Sequence, residues 1–67
     1  MSKKGWVGVC PDWIVEKMKD LELNYRQMGK VVGIDYRNLN KYATGKLEMK
    51  DNTKKKIYNA IKLYENE

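Results

Sequence analysis

The sequence predicts a small all-α domain of four or five helices, preceded by a short extended arm. Three observations carry that prediction. Apolar residues recur at three- and four-residue spacing from Trp13 to Tyr64. A tight turn is written at Gly33, between two short periodic segments. The 67 residues leave room for one core only, since a chain of this length buries about 60% of the surface its unfolded form exposes. The organisation that follows is an arm over 1–10 and a helical domain over 11–65.

Within the arm, Met1 to Lys4 are short, basic and terminal, and are expected to be disordered. Gly5 to Cys10, GWVGVC, is expected to be extended, as a short strand or an arm folded over the core. Trp6 has two readings. In one it covers the edge of the helical core. In the other the arm joins a dimer interface, or Lys3 and Lys4 reach a groove of a nucleic acid.

The first helix begins near Pro11 or Asp12. Proline is tolerated in a first turn, and an aspartate suits the positive end of the helix. Trp13, Ile14, Met18 and Leu21 make its buried side, with Leu23 closing the exit. Glu16, Lys17, Lys19, Asp20 and Glu22 mix signs, as a solvated face does.

The second helix runs from Tyr25 to Val32, with Met28, Val31 and Val32 as its apolar face. Gly29 inside it costs about 1 kcal/mol relative to alanine, which calls for a packing reason such as close approach of another helix. Gly33 stands where a positive φ is wanted, Ile34 can plug the space between helices, and Asp35 can cap the next one. An ordinary helical hairpin with a glycine stop is the alternative reading of this spacing.

The third helix, Tyr36 to Thr44, separates the two. At about 100° per residue, Tyr36, Arg37, Asn40, Lys41 and Thr44 share an outward arc of roughly 140°. Leu39 and Tyr42 face inward, with Ala43 at the edge. The arc holds none of the chain's nine acids. A merely solvated face normally mixes signs. Arginine and lysine pair with guanine O6 and N7, and asparagine with adenine, so these are residues that read base edges.

In the last helix Asp51 or Asn52 can cap the start, and Ile57, Ala60, Ile61 and Tyr64 recur at helical spacing. Tyr58 and Leu63 widen the apolar stripe. They either finish the core or form, with Tyr64 and Trp6, the seam of a homodimer whose recognition helices would lie about 34 Å apart on a palindromic site. The Lys54-Lys55-Lys56 run is either a solvated face or, with Lys46 and Lys50, a track along phosphates.

From about Leu21 to Ile61 the chain resembles the Cro and lambda-repressor-like (XRE-type) helix-turn-helix domains, without gaps. In that resemblance Asn24 and Tyr25 open the first helix of the motif against a DNA phosphate. Gly29 takes the place of the motif's small residue, and Gly33 and Ile34 form its turn. Tyr36, Arg37, Asn40 and Lys41 fall on the base-contacting positions, Leu39 and Tyr42 on the inward ones. Gly45-Lys46 matches the segment that approaches the DNA backbone, and Asp51 through Tyr64 the closing amphipathic helix. Tyr25 departs from the usual glutamine, Gly29 from alanine, Ala43-Thr44 from Glu-Asn, and Met49 from proline; Gly29 is expected to loosen its helix.

The resemblance implies a sequence-specific double-stranded DNA-binding transcriptional regulator, a Cro-like repressor of phage or mobile-element type acting as a homodimer. Tyr36, Arg37, Asn40 and Lys41 would meet bases; Asn24, Tyr25, Thr44, Lys46 and Lys50 would hold the backbone. The net charge of +5 and pI near 9.4 suit a polyanion. The competing reading is a helix-turn-helix module that binds another protein through Trp6, Tyr36, Tyr58 and Tyr64. With no histidine and a single cysteine, Cys10, there is no Cys/His zinc site, no intrachain disulfide and no Ser-His or Cys-His nucleophile. The expectation is a cytoplasmic, non-enzymatic protein without cofactor, metal, small-molecule ligand or membrane span.

Overall fold

A computed structural model describes residues 5–66. Pro11 and Asp12 open α1, Pro11–Asp20, at the positions where a missing N–H and a negative charge are best tolerated. The helix ends in a Schellman arrangement. The Glu22 amide donates to the Lys19 carbonyl and the Leu23 amide to that of Met18. Glu22 occupies the left-handed position at φ 57°, where glycine is more usual.

Asn24 then starts α2, Tyr25–Val32, through a reciprocal cap. Its side chain accepts from the Gln27 amide at 2.8 Å, and the Gln27 side chain accepts from the Asn24 amide at 3.0 Å. Gly33 stops α2 at φ 73°, and the amides of Gly33 and Ile34 both donate to the Gly29 carbonyl. Asp35 caps α3, Tyr36–Ala43, by accepting from the Arg37 amide at 2.9 Å. The helix stops one residue short of the sequence expectation. Thr44 is its cap, and Gly45 at φ 78° lets the Lys46 amide reach the Lys41 carbonyl at 2.8 Å. Finally α4, Asp51–Glu65, closes the fold.

These four helices enclose Val9, Ile14, Met28, Leu39, Ile57 and Ile61, all essentially inaccessible to water. Each such aliphatic side chain contributes about 1.5–3 kcal/mol when fully buried. Helix α2 packs on α3 and α4, and α1 packs on α3. A radius of gyration of 11.0 Å matches the value of about 11 Å for a compact chain of this length. No buried side-chain polar atom lacks a partner among the described residues.

Further expectations change. Lys50, not Asp51 or Asn52, stands at the N-cap of α4, with no side-chain cap hydrogen bond, and Asp51 serves as an acid in the first turn. The segment from Gly5 is not extended: Gly5–Gly8 form a 3-10 turn lying on α4, closed by a hydrogen bond from the Val9 amide to the Trp6 carbonyl at 3.0 Å. Partly buried Trp6 and buried Val9 belong to the core, so burial of two large apolar groups in six residues outweighs the extended form. Met1 to Lys4, expected to be disordered, lie outside the described residues. On α3, Ala43 is buried and Tyr42 only half-buried, the reverse of the expected order. The inward direction of α3 thus runs through Leu39 and Ala43, which are about 300° and 340° around the helix from Tyr36, rather than through Tyr42.

Gly29 does not loosen its helix for nothing. A Cβ at this position would lie 2.7 Å from the Ile34 carbonyl oxygen and 3.3 Å from the Tyr36 amide nitrogen. The close neighbour is therefore the turn itself and the first residue of α3.

Candidate nucleic-acid interface

The turn at Gly33 and the contact at Gly29 together set the start of α3 beside the start of α2. A groove opens between them, lined by Asn24, Tyr25, Arg26, Tyr36, Arg37, Asn40, Lys41 and Lys46. All four residues expected to meet bases stand in it. So do three of the five expected to hold a backbone: Asn24, Tyr25 and Lys46. With the Asn24 carbonyl oxygen engaged in its cap, only its side-chain N–H₂ group remains to donate.

Thr44 and Lys50 do not line this groove. The Thr44 hydroxyl lies 2.9 Å from the Asn40 carbonyl and 3.3 Å from that of Lys41, so its single proton is directed back into α3. Lys50 is exposed at the residue before α4.

The groove lining contains two arginines, two lysines, two tyrosines, two asparagines and no carboxylate. Among the described residues, Lys17–Glu65 is the only ion pair within 4.0 Å, so none of the groove cations is neutralised by a contact partner. Asp35, the nearest acid in sequence, accepts from the Arg37 amide and lines the adjoining cleft instead. Such an arrangement offers fixed donors and positive charge to an anion, flanked by ring faces and stems.

Arg26 is the residue that reading the sequence missed. Its guanidinium carbon lies 5.3 Å from the centroid of the Tyr36 ring. A signal for it exists in the sequence. Arg26 and Gly29 are three apart on α2 and so share a face, and Gly29 is where α3 comes closest.

The four candidate dimer residues do not form one patch. Trp6 is half-buried against the core, with the Lys55 ammonium 5.6 Å from its ring. Tyr58 is also half-buried and stacks obliquely on Trp13, with ring centroids 6.1 Å apart. Leu63, 68% exposed, and Tyr64 instead line a shallow apolar cleft with Val31 and Ala60. Tyr58 and Leu63 are five residues apart, which turns them about 140° from each other around α4.

Lys54, Lys55 and Lys56 are likewise splayed. Lys54 borders a cleft with Cys10 and Met49, Lys55 lies over Trp6, and the Lys56 stem passes Gly33 at the end of α2. None of the three lines the groove. Cys10 is exposed.

No family model matches this chain, and neither a curated protein nor a solved structure matches it. Among the described residues, no helix is long and apolar enough to cross a membrane. The fold and groove thus define a small all-helical domain with an unneutralised cationic, aromatic-edged recess at the α2–α3 junction.

Proposed function

We propose that this chain is a double-stranded DNA-binding transcriptional regulator of the helix-turn-helix, Cro-like type, which lays α3 in the major groove. The observation that carries the reading is the acid-free groove, whose cations have no carboxylate partner among the described residues. Eight helical residues make α3 about 12 Å long, and a helix of ordinary girth fits a major groove about 12 Å wide.

In this reading Arg37 and Lys41 meet guanine edges, Asn40 meets adenine, and Tyr36 meets a thymine methyl or a phosphate. Tyr25, Lys46 and the free N–H₂ group of Asn24 fix the protein on the backbone. Leu63 and Tyr64, with Val31 and Ala60, are the surface on which a second copy would pair to read a palindrome. Repression of a phage or mobile-element promoter is the regulatory role we assign to such a dimer.

The test is selection of bound sequences from random duplex DNA, followed by titration of the selected duplex across salt concentration. The expected result is an inverted-repeat motif with a steep salt slope. Weak binding without a motif, at an affinity set by charge alone, would replace this reading with that of a protein-binding module.

A further inference from the structure

Tyr36 is the first residue of α3, and its backbone has nowhere to go. Its amide nitrogen and Cα would stand 3.3 and 3.4 Å from a Cβ at Gly29, so the main chain of the two helices is in close contact here. Tyr36 as a whole is nonetheless 39% exposed and lines the groove. An exposed ring on a fixed backbone still rotates among its χ1 wells unless something holds it.

Arg26 supplies that hold. The guanidinium is 5.3 Å from the ring centroid, and Arg26 borders both the main groove and the cleft lined by Gly29, Lys30, Ile34 and Asp35. No carboxylate lies within ion-pair distance of it among the described residues. A guanidinium drawn to a ring by its charge still has N–H donors to spare, since it carries five of them.

We propose that Arg26 is a positioning residue for base recognition: held over the Tyr36 ring it fixes the phenol against one base pair, while its N–H donors take a phosphate of the same duplex. This rests on the DNA-binding reading above. It differs from a generic cationic contact, which strengthens all sequences alike.

Random-duplex selection with the unaltered protein comes first, then with Tyr36→Ala, which identifies the position that Tyr36 reads. Arg26→Ala is expected to relax preference at that same position by roughly two- to fivefold, the worth of an exposed cation–π contact. It should also lower the salt slope by about one. Arg26→Lys, whose ammonium can also lie over a ring, is expected to restore the slope and part of the preference, whereas uncharged Arg26→Gln is expected to restore neither. Because Arg26 and Tyr36 are both exposed, the variants should keep their helix content and lose no more than a few degrees in Tm, which is checked by circular dichroism.

If Arg26→Ala weakens binding evenly at every position, or if Arg26→Gln keeps the full preference, the positioning role is overturned while DNA binding stands. If the unaltered protein selects no motif, both fall together.

Discussion

The two sides of this molecule handle their cations in opposite ways. On the α1–α4 side each lysine near a ring or an acid lies against a partner. The Lys17 ammonium is 2.9 Å from the Glu65 carboxylate and 5.8 Å from the Trp13 ring, Lys55 lies over Trp6, and Lys62 lies over Tyr58. On the α2–α3 side Arg26 lies over Tyr36, but Arg37, Lys41 and Lys46 line an open groove with neither ring nor carboxylate partner among the described residues. The same residue types thus brace the fold in one region and remain available in the other. Total charge does not distinguish these uses; placement does.

The comparison can be broken most severely at the support of the groove. Gly29→Ala pushes a Cβ to 2.7 Å from a backbone oxygen that is itself held by the turn. The overpacking cost of about 1–3 kcal/mol should outweigh the gain of about 1 kcal/mol in helix propensity, so the fold is destabilised by up to about 2 kcal/mol and α3 is shifted away from α2. Denaturant unfolding measures this. Gly8→Ala is the control on the other side, where a Cβ meets nothing within 4 Å, and it should leave the midpoint unchanged. Equal effects from the two glycines would mean that the α2–α3 contact does not hold the groove.

Next come the cations themselves. Arg37→Ala and Lys41→Ala should each remove about 1–3 kcal/mol of discrimination between the selected duplex and a scrambled one. Lys55→Ala and Lys62→Ala should alter only the small general attraction to DNA. A loss of discrimination from Lys62→Ala as large as that from Arg37→Ala would erase the distinction between the two sides.

Lys46 sharpens the comparison rather than breaking it. In the proposed DNA-binding reading Lys46 holds a phosphate, so Lys46→Ala should weaken binding to every duplex alike and reduce the slope of log affinity against log salt by about one. Position-specific effects from this change would move Lys46 into the base-reading set.

The smallest effect is expected at the Lys17–Glu65 pair. The hydrogen bond from Lys17 holds the Glu65 carboxyl below its usual range, and the same bond raises the Lys17 ammonium above its own. A lowered carboxyl contributes stability above its unfolded value and loses it as pH falls through the folded one. A raised ammonium contributes below its unfolded value of 10.5 and loses it as pH rises past the folded one. The pair therefore acts across the neutral range and fades at both extremes. Both side chains are about a quarter exposed, so water and salt screen them. Glu65→Gln should lower Tm slightly at neutral pH and low salt, with the two melting curves merging in acid and in high salt. A difference that persists in acid would mean that the charge of Glu65 is not its source.

Local chemistry wrote much of this fold into the sequence. Pro11, Asn24, Gly33 and Asp35 each mark a helix boundary that the structure keeps, because caps and left-handed stops depend on residues within a turn of the boundary. The outward arc of α3 was equally legible, since helical periodicity alone sorts Leu39 from Arg37, Asn40 and Lys41. The 3-10 turn at Gly5–Gly8 was not: GWVGVC has no strong local preference, and the burial of Trp6 and Val9 against α4 decides its form. Tertiary packing alone also decided that Gly29 meets the Ile34 carbonyl, that Arg26 reaches Tyr36 across ten residues, and that Tyr58 and Leu63 face different surfaces. The reason is range. Spacing within a helix fixes which residues share a face, whereas the neighbour that each face meets is set by how separate helices fill one core.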